Sequence, residues 1–159
     1  MDAPLIGSRE AAIQGTLSIM VGGPEKDFQK ALPIFRAMGT NIVHVANLNG
    51  DGQTVKLVNQ LLDAGQVLVM CEALFFAQAS GVDLKKTLAA VSTGAAGSWM
   101  LRNRAPQVIK RDWRPAFTIE LQQKSLAAVL SAAEDFGVPV PTTALIYKCY
   151  RTLQTRVLT

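Results

Sequence analysis

Histidine is almost missing from this chain: His44 is the only one in 159 residues. A zinc site built on several histidines is therefore excluded. A nucleophilic triad would have to centre on His44, and no nucleophile motif marks a partner for it. His44 reads as a residue at the end of a strand. Cysteine is scarce too, with two residues, Cys71 and Cys149. Neither sits in a C-x-x-C pair, and both read as buried free thiols in apolar helical surroundings. No disulfide framework is implied, which points to a reducing compartment.

Several motifs are absent. No G-x-x-x-x-G-K-[ST] loop occurs and no G-x-G-x-x-G; the Gly50-Asp51-Gly52 stretch runs on as Gln53-Thr54-Val55 without the third glycine. The N-terminus lacks the basic-then-apolar plan of a signal peptide. The most apolar stretch, Val67 to Ala79, is interrupted by Glu72 and Gln78. It reads as too short and too polar to span a membrane. The expectation is a cytoplasmic protein with no metal, no membrane and no nucleic-acid partner.

What is present is an aliphatic chain. Hydrophobic residues make up 49% of it, aromatics only 6% and charged residues 18%. Such a core suits helix packing, and the length allows one ordinary domain. The net charge of +4 is a mild excess. Its basic residues are spread along the second half, including Arg102, Arg104, Lys110, Arg111, Arg114, Lys148, Arg151 and Arg156. A nucleic-acid patch would be denser and interleaved with aromatics. A small anionic ligand fits this charge better.

The chain divides at about residue 49. Before it lie strand-like runs, Leu17 to Val21 and Asn41 to Val45, with a possible third in Asp2-Ala3-Pro4-Leu5-Ile6 entering a loop at Gly7-Ser8. An amphipathic helix sits between the two main runs. It opens at Gly23-Pro24-Glu25, carries Phe28, Leu32, Ile34, Phe35 and Met38, and ends at Gly39. Such a small set of strands looks like the edge of a larger sheet. From Gly50 onward the pattern is helical, with a long helix over 53–80 and further helices over 83–92, 98–110, 118–136 and 142–156. Gly94, Gly97, Pro115, Gly137, Pro139 and Pro141 punctuate them. The long helix is apolar on almost every face, which belongs in the middle of a structure.

Lys56 follows the Gly50-Asp51-Gly52 turn. A cation near the positive end of a helix is disfavoured, and burial against apolar neighbours acts the same way. Both effects prepare a lysine for proton transfer near neutrality. Asn59, Gln60 and Asp63 share its face. On this pattern alone, a proton-transfer site and a solvated first turn of ordinary surface residues both stay open. Lys85 and Lys86 read as a solvated helix start, and Lys124 as a surface lysine.

Three segments resemble the β-hydroxyacid dehydrogenases, the group of 3-hydroxyisobutyrate dehydrogenase and tartronate semialdehyde reductase. The first is Asp2-Ala3-Pro4-Leu5-Ile6-Gly7-Ser8 followed by Gly15-Thr16-Leu17-Ser18-Ile19-Met20-Val21-Gly22-Gly23. The second is Gly50-Asp51-Gly52-Gln53-Thr54-Val55-Lys56-Leu57-Val58-Asn59-Gln60, and the third is Phe117 to Leu126 around Lys124. The resemblance implies hydride transfer with NAD or NADP between a small carboxylated aldehyde and the matching hydroxy acid. Lys56 would be the general acid/base. Asn59 and Gln60 would hold the lysine or the substrate, and the Ile6-Gly7-Ser8 loop would receive the substrate carboxylate. Lys124 would approach the cofactor.

Imine reductases share the scaffold but typically replace the lysine, so Lys56 argues against that branch. Ile6 stands where the family usually has serine, Ser8 replaces a glycine, and Ser125 replaces an aspartate. The implied fold is mainly α. Residues 50–159 form an all-helical 6-phosphogluconate-dehydrogenase-like C-terminal domain for substrate binding and oligomerisation. Residues 1–49 form a small α/β remnant of the dinucleotide-binding sheet. The glycine-rich phosphate loop would precede Asp2, so the chain is expected to be inactive alone. A catalytically inert helical association module is the competing expectation.

Overall fold

A computed structural model describes residues 1–114 and 117–157. The expected break at Pro115 and the Arg156 side chain lie outside the described residues. The chain forms two compact units, Met1–Asn59 and Gln60–Thr159, and one helix runs through the boundary between them.

The first unit holds β1 (Leu5–Ile6), α1 (Arg9–Ile13), β2 (Leu17–Gly22), α2 (Glu25–Met38), β3 (Gly39–Ala46) and the start of α3 (Asp51–Ala79). The strands order as β1-β2-β3, with β1 antiparallel and β3 parallel to the central β2. Leu5 lies opposite Ile19 and Ile6 opposite Ser18. The central strand is apolar on both faces, as burial on both sides requires. Its Leu17, Ile19 and Val21 pack with Phe28 and Phe35 of α2. Burying each of these phenylalanines contributes about 2–3 kcal/mol. Ile34 points outward, so the apolar face of α2 is narrower than its composition implied. Pro33 lies inside α2, where it removes one backbone donor without ending the helix. Gly39 ends α2 in an extended conformation, not a left-handed cap. It starts β3 directly, and a side chain there would collide with the Leu17 backbone.

The second unit is helical. Around the rest of α3 stand α4 (Leu84–Val91), α5 (Trp99–Asn103), α6 (Ala105–Ile109), α7 (Ile119–Phe136) and α8 (Pro141–Val157). The single helix expected over 98–110 is two, because Pro106 has no N–H to continue the ladder and its ring crowds the preceding turn. Thr118 caps α7 by accepting from the Leu121 N–H, and Gly137 closes it with a φ of 67°. Met70, Leu74, Leu101 and Ala105 form one core cluster. Ala64, Leu126 and Ile146 form another, flanked by Tyr147 and Tyr150.

The long helix departs from expectation in three ways. It is covered on part of its circumference only: Phe75 and Phe76 are 73% and 76% exposed, and Val69 is 61% exposed. Cys71 is exposed and Cys149 half-buried, so neither is the buried thiol expected. By itself the Val67–Ala79 stretch reads as too short and too polar to span a membrane. It belongs to a 29-residue helix that is long and apolar enough, by length and composition alone, to cross a membrane.

Candidate functional site

Asp2 organises the region around Lys56. Its backbone pairs with Gly22 in both directions, N–H to O at 2.9 Å and O to N–H at 3.0 Å. Its carboxylate accepts the Gly50 N–H at 2.6 Å and the Gln53 N–H at 2.7 Å. Two orphan donors at the start of α3 are thereby satisfied by a charge that also suits the helix dipole. The packing leaves no room for side chains. A Cβ on Gly52 would lie 2.6 Å from the Asp2 carboxylate and from the Met20 carbonyl oxygen. A Cβ on Gly22 would lie 2.6 Å from the same carboxylate and from the Gly52 nitrogen. Gly50, with a φ of 102°, makes the turn into the helix.

One turn beyond Gly52, Lys56 is half-buried and its Nζ donates to the Leu5 carbonyl at 2.8 Å. The helix begins at Asp51, so Lys56 falls in its second turn. The helix-end field is weaker there than expected, since it fades beyond the first turn. What places the amine is the bond to β1. That bond brings Lys56 beside Ile6, Gly7 and Ser8, the next residues of the chain.

Gly7 has a φ of 153°, and a Cβ would lie 2.5 Å from the Leu17 side chain, so glycine is required. Ser8 does more than replace a glycine. Its Oγ accepts the Ala11 N–H at 3.2 Å and so caps α1, a short helix the sequence pattern did not disclose. Ile6 is half-buried in β1, opposite Ser18. Asn59 is half-buried and Gln60 buried, both about one turn past Lys56 on the same helix.

Lys124 belongs to the second unit. It lies exposed on α7 and borders a cavity of about 330 Å³ shared with Arg151 of α8. The second unit thus presents two cations where the sequence marked one.

His44 is used structurally. Its Nδ1 lies 2.7 Å from the Glu25 carboxylate, its Nε2 2.7 Å from the Gly23 carbonyl oxygen, and its ring stacks on Phe28. Among the described residues no group of three or more His, Cys, Asp and Glu side chains could hold a metal ion.

Asp2 and Gly22 are the positioning residues that sequence reasoning missed. Both lie within quoted motifs, but their partners sit far along the chain, and no local pattern reports such a contact.

The chain is similar to known proteins over nearly its whole length. Residues 50–159 match the family described as NAD-binding of NADP-dependent 3-hydroxyisobutyrate dehydrogenase. Residues 1–46 match the NAD binding domain of 6-phosphogluconate dehydrogenase. The chain is 40% identical to 2-hydroxy-3-oxopropionate reductase of Escherichia coli (strain K12) over 96% of its own length and 52% of that protein. A crystal structure of 3-hydroxyisobutyrate dehydrogenase from Salmonella typhimurium superposes with a TM-score of 0.88 at 28% identity, over 98% of this chain and 54% of that one. The Mycobacterium tuberculosis 3-hydroxyisobutyrate dehydrogenase, described together with L-serine, gives 0.88 at 25% identity, over 97% and 55%. The chain spans about half the length of the relatives it matches. Its mainly helical fold, its matched residues and these relatives together place it: the chain belongs to the β-hydroxyacid dehydrogenase family.

Proposed function

We propose that Lys56 is the general acid/base of an NAD(P)-dependent oxidoreductase that reduces a small carboxylated aldehyde or oxidises the matching 3-hydroxy acid. The observation that carries this reading is the 2.8 Å bond from Lys56 Nζ to the Leu5 carbonyl, which holds the amine beside the Ile6-Gly7-Ser8 loop. In the reducing direction the lysine gives a proton to the oxygen of the aldehyde as its carbon accepts hydride. In the oxidising direction it takes the hydroxyl proton. Backbone N–H groups of Gly7 and its neighbours bind the carboxylate, and Asn59 and Gln60 hold the lysine or the substrate. Ile6 offers no hydroxyl, so the loop binds through its backbone.

The nicotinamide cofactor supplies or accepts the hydride when bound. The residues present fit part of such a group. Lys124 and Arg151 border one cavity, and the buried Gln123 Oε1 has no partner among the described residues. The sequence contains no glycine-rich phosphate loop. By this reading the 159-residue chain binds nucleotide weakly and turns over nothing alone. Residues 1–49 are then the tail of the dinucleotide-binding domain, and 50–159 the substrate-binding and oligomerisation domain.

The test is Lys56→Met in the full-length protein. Turnover is expected to fall by roughly 10²–10⁴-fold with the fold unchanged, the contribution of a positioned acid/base. Turnover at the wild-type rate overturns the assignment.

The exposed Phe75, Phe76 and Val69 favour a second reading, an inert helical association module. An open frame upstream of Met1 that encodes a strand, G-x-G-x-x-G and a helix speaks for the enzyme; a stop codon there speaks for the module. On either reading the apolar face of α3 pairs with a second copy of the chain.

A further inference from the structure

We infer that residues 99–114 form a surface that binds single-stranded nucleic acid, with arginine and lysine on the phosphates and exposed tryptophan rings stacked on the bases. The surface is independent of hydride transfer and of Lys56. This segment holds five of the chain's 16 Lys and Arg and one of its 12 Asp and Glu. The rest of the chain has eleven of each, so the whole net charge of +4 lies here. The expectation of no nucleic-acid partner rested on cations spread along the chain. Set against the acids, they are in excess in one place only.

The fold turns that segment outward. Helices α5 and α6 lay Leu101 and Ala105 against Met70 and Leu74 of α3, with Met100, Val108 and Ile109 beside them. Trp99, Arg102, Lys110, Arg111, Trp113 and Arg114 stay exposed. The Arg104 guanidinium lies 5.7 Å from the centre of the Trp99 ring and donates to the Gln107 Oε1 at 3.0 Å. Asp112, the one acid, is paired with Arg114. The ion pairs among the described residues engage none of Arg102, Arg104, Lys110 and Arg111.

Arg111 supplies a second observation. It closes α6 with a φ of 54°, a left-handed conformation that favours glycine. Its N–H donates to the Val108 carbonyl at 3.0 Å, and the Asp112 N–H to the Gln107 carbonyl at 2.9 Å. A cation therefore stands there at a cost to the fold, as strained residues do where a surface has a use. The mix of groups selects the occupant. Cations alone suit any polyanion, but exposed tryptophan rings suit unpaired bases. A duplex hides its base faces, and α5 and α6, five residues each, are about 7–8 Å long, too short to fill a major groove. A bilayer suits less well, because a Trp113 ring sunk in lipid would draw the adjoining Asp112–Arg114 pair down with it.

Fluorescence anisotropy of a labelled oligothymidylate of about 20 nucleotides, titrated with the 159-residue chain, tests the surface. The expected Kd is about 10⁻⁵ M in about 0.1 M salt, and the plot of log K against log salt should have a slope of about −3. Arg102→Gln and Lys110→Gln should each weaken binding about fivefold and flatten the slope by about 0.7. Trp113→Ala should weaken it about tenfold and leave the slope unchanged. Circular dichroism checks each fold. Arg111→Gly separates binding from folding: its thermal midpoint should rise by about 2–4 °C while its affinity falls about fivefold. An oligouridylate of the same length distinguishes the sources: tighter binding identifies RNA, weaker binding DNA, and equal binding a surface that takes both. Four results overturn the inference: no binding, a slope near zero, wild-type affinity in Trp113→Ala, or polyglutamate binding as tightly as the oligonucleotide. Binding to vesicles of equal phosphatidylserine and phosphatidylcholine, with the oligonucleotide ignored, also overturns it and assigns the surface to a membrane.

Discussion

Asp2 and Gln53 are joined by a hydrogen bond of 2.7 Å from the Gln53 N–H to the Asp2 carboxylate, across 51 positions of sequence. That bond caps the helix that bears Lys56. Removing it should therefore affect stability and the site together. Asp2→Ala is expected to cost about 2 kcal/mol, the loss of a charged helix cap with two backbone bonds. Asp2→Asn should cost less, since an amide oxygen can still accept one of them. Urea denaturation of the two variants checks the order, and equal stability of all three proteins contradicts it.

Gly52 is held even more tightly. A methyl group there would meet both the Asp2 carboxylate and the Met20 carbonyl. Gly52→Ala should destabilise by about 2–3 kcal/mol despite the better helix propensity of alanine. Gly65, on the same helix with open space around it, is the control. Gly65→Ala should be neutral or stabilising by about 0.5–1 kcal/mol. Thermal melts of both variants test the contrast.

Phe76 is 76% exposed, so its replacement costs little in an isolated chain. If α3 pairs with a second copy, Phe76→Asp should convert the oligomer to a monomer without lowering helix content. Light scattering after size exclusion reads the mass. A wild-type chain that is already monomeric contradicts the pairing, and one that partitions into lipid vesicles assigns the apolar face to a membrane.

Tyr150 packs beside the Ala64, Leu126 and Ile146 cluster. Burial pushes its phenol above the ordinary value, and the charges of Cys71 and Asp63 add to this. The folded chain therefore holds the phenolic proton more tightly than the unfolded chain does. The resulting stability is fully present below about pH 10, where the free phenol titrates, and is lost as pH rises through the folded value. Urea midpoints should fall above about pH 10, and fall less in Tyr150→Phe. An identical alkaline decline in both proteins rules Tyr150 out as its source.

Cys71 is a free thiol exposed at its surface, yet the protein packed around the rest of it desolvates the thiolate and pushes its pKa upward. Its thiolate fraction at pH 7 is therefore below that of ordinary cysteine. Alkylation of Cys71 by iodoacetamide should be slower than that of a free cysteine at pH 7, and accelerate above about pH 9. Rates matching the free amino acid at pH 7 contradict the shift.

The strands, the long helix and the family motifs were legible in the sequence because each rests on local pattern. Leu17 to Val21 is an apolar run closed by two glycines, and it became β2 almost residue for residue. Thr118 and Gly137 bracket α7 by cap chemistry that any sequence displays. The break at Pro106 was equally local and was passed over. The rest was non-local. Nothing near Asp2 announces that it will cap a helix starting at Asp51, and nothing near Arg151 announces that it will face Lys124. Ser8 reads in the sequence only as part of a loop for the substrate carboxylate; its oxygen has a backbone amide to serve. The exposed side of α3 was misjudged for a different reason. Composition reports how much apolar surface a helix has, not whether one chain can cover it.

The contact between Asp2 and the head of α3 also sets an order of events. It joins residues about fifty apart, and it needs β1 already paired with β2 to bring Asp2 into place. Long-range closures of this kind form after local ones, because the chain entropy between their ends must be surrendered first. The amine of Lys56 then reaches its station only when the strands have found their register. Under mild denaturant the same corner should open before either core does, so the site carries the least protected backbone amides of its helix.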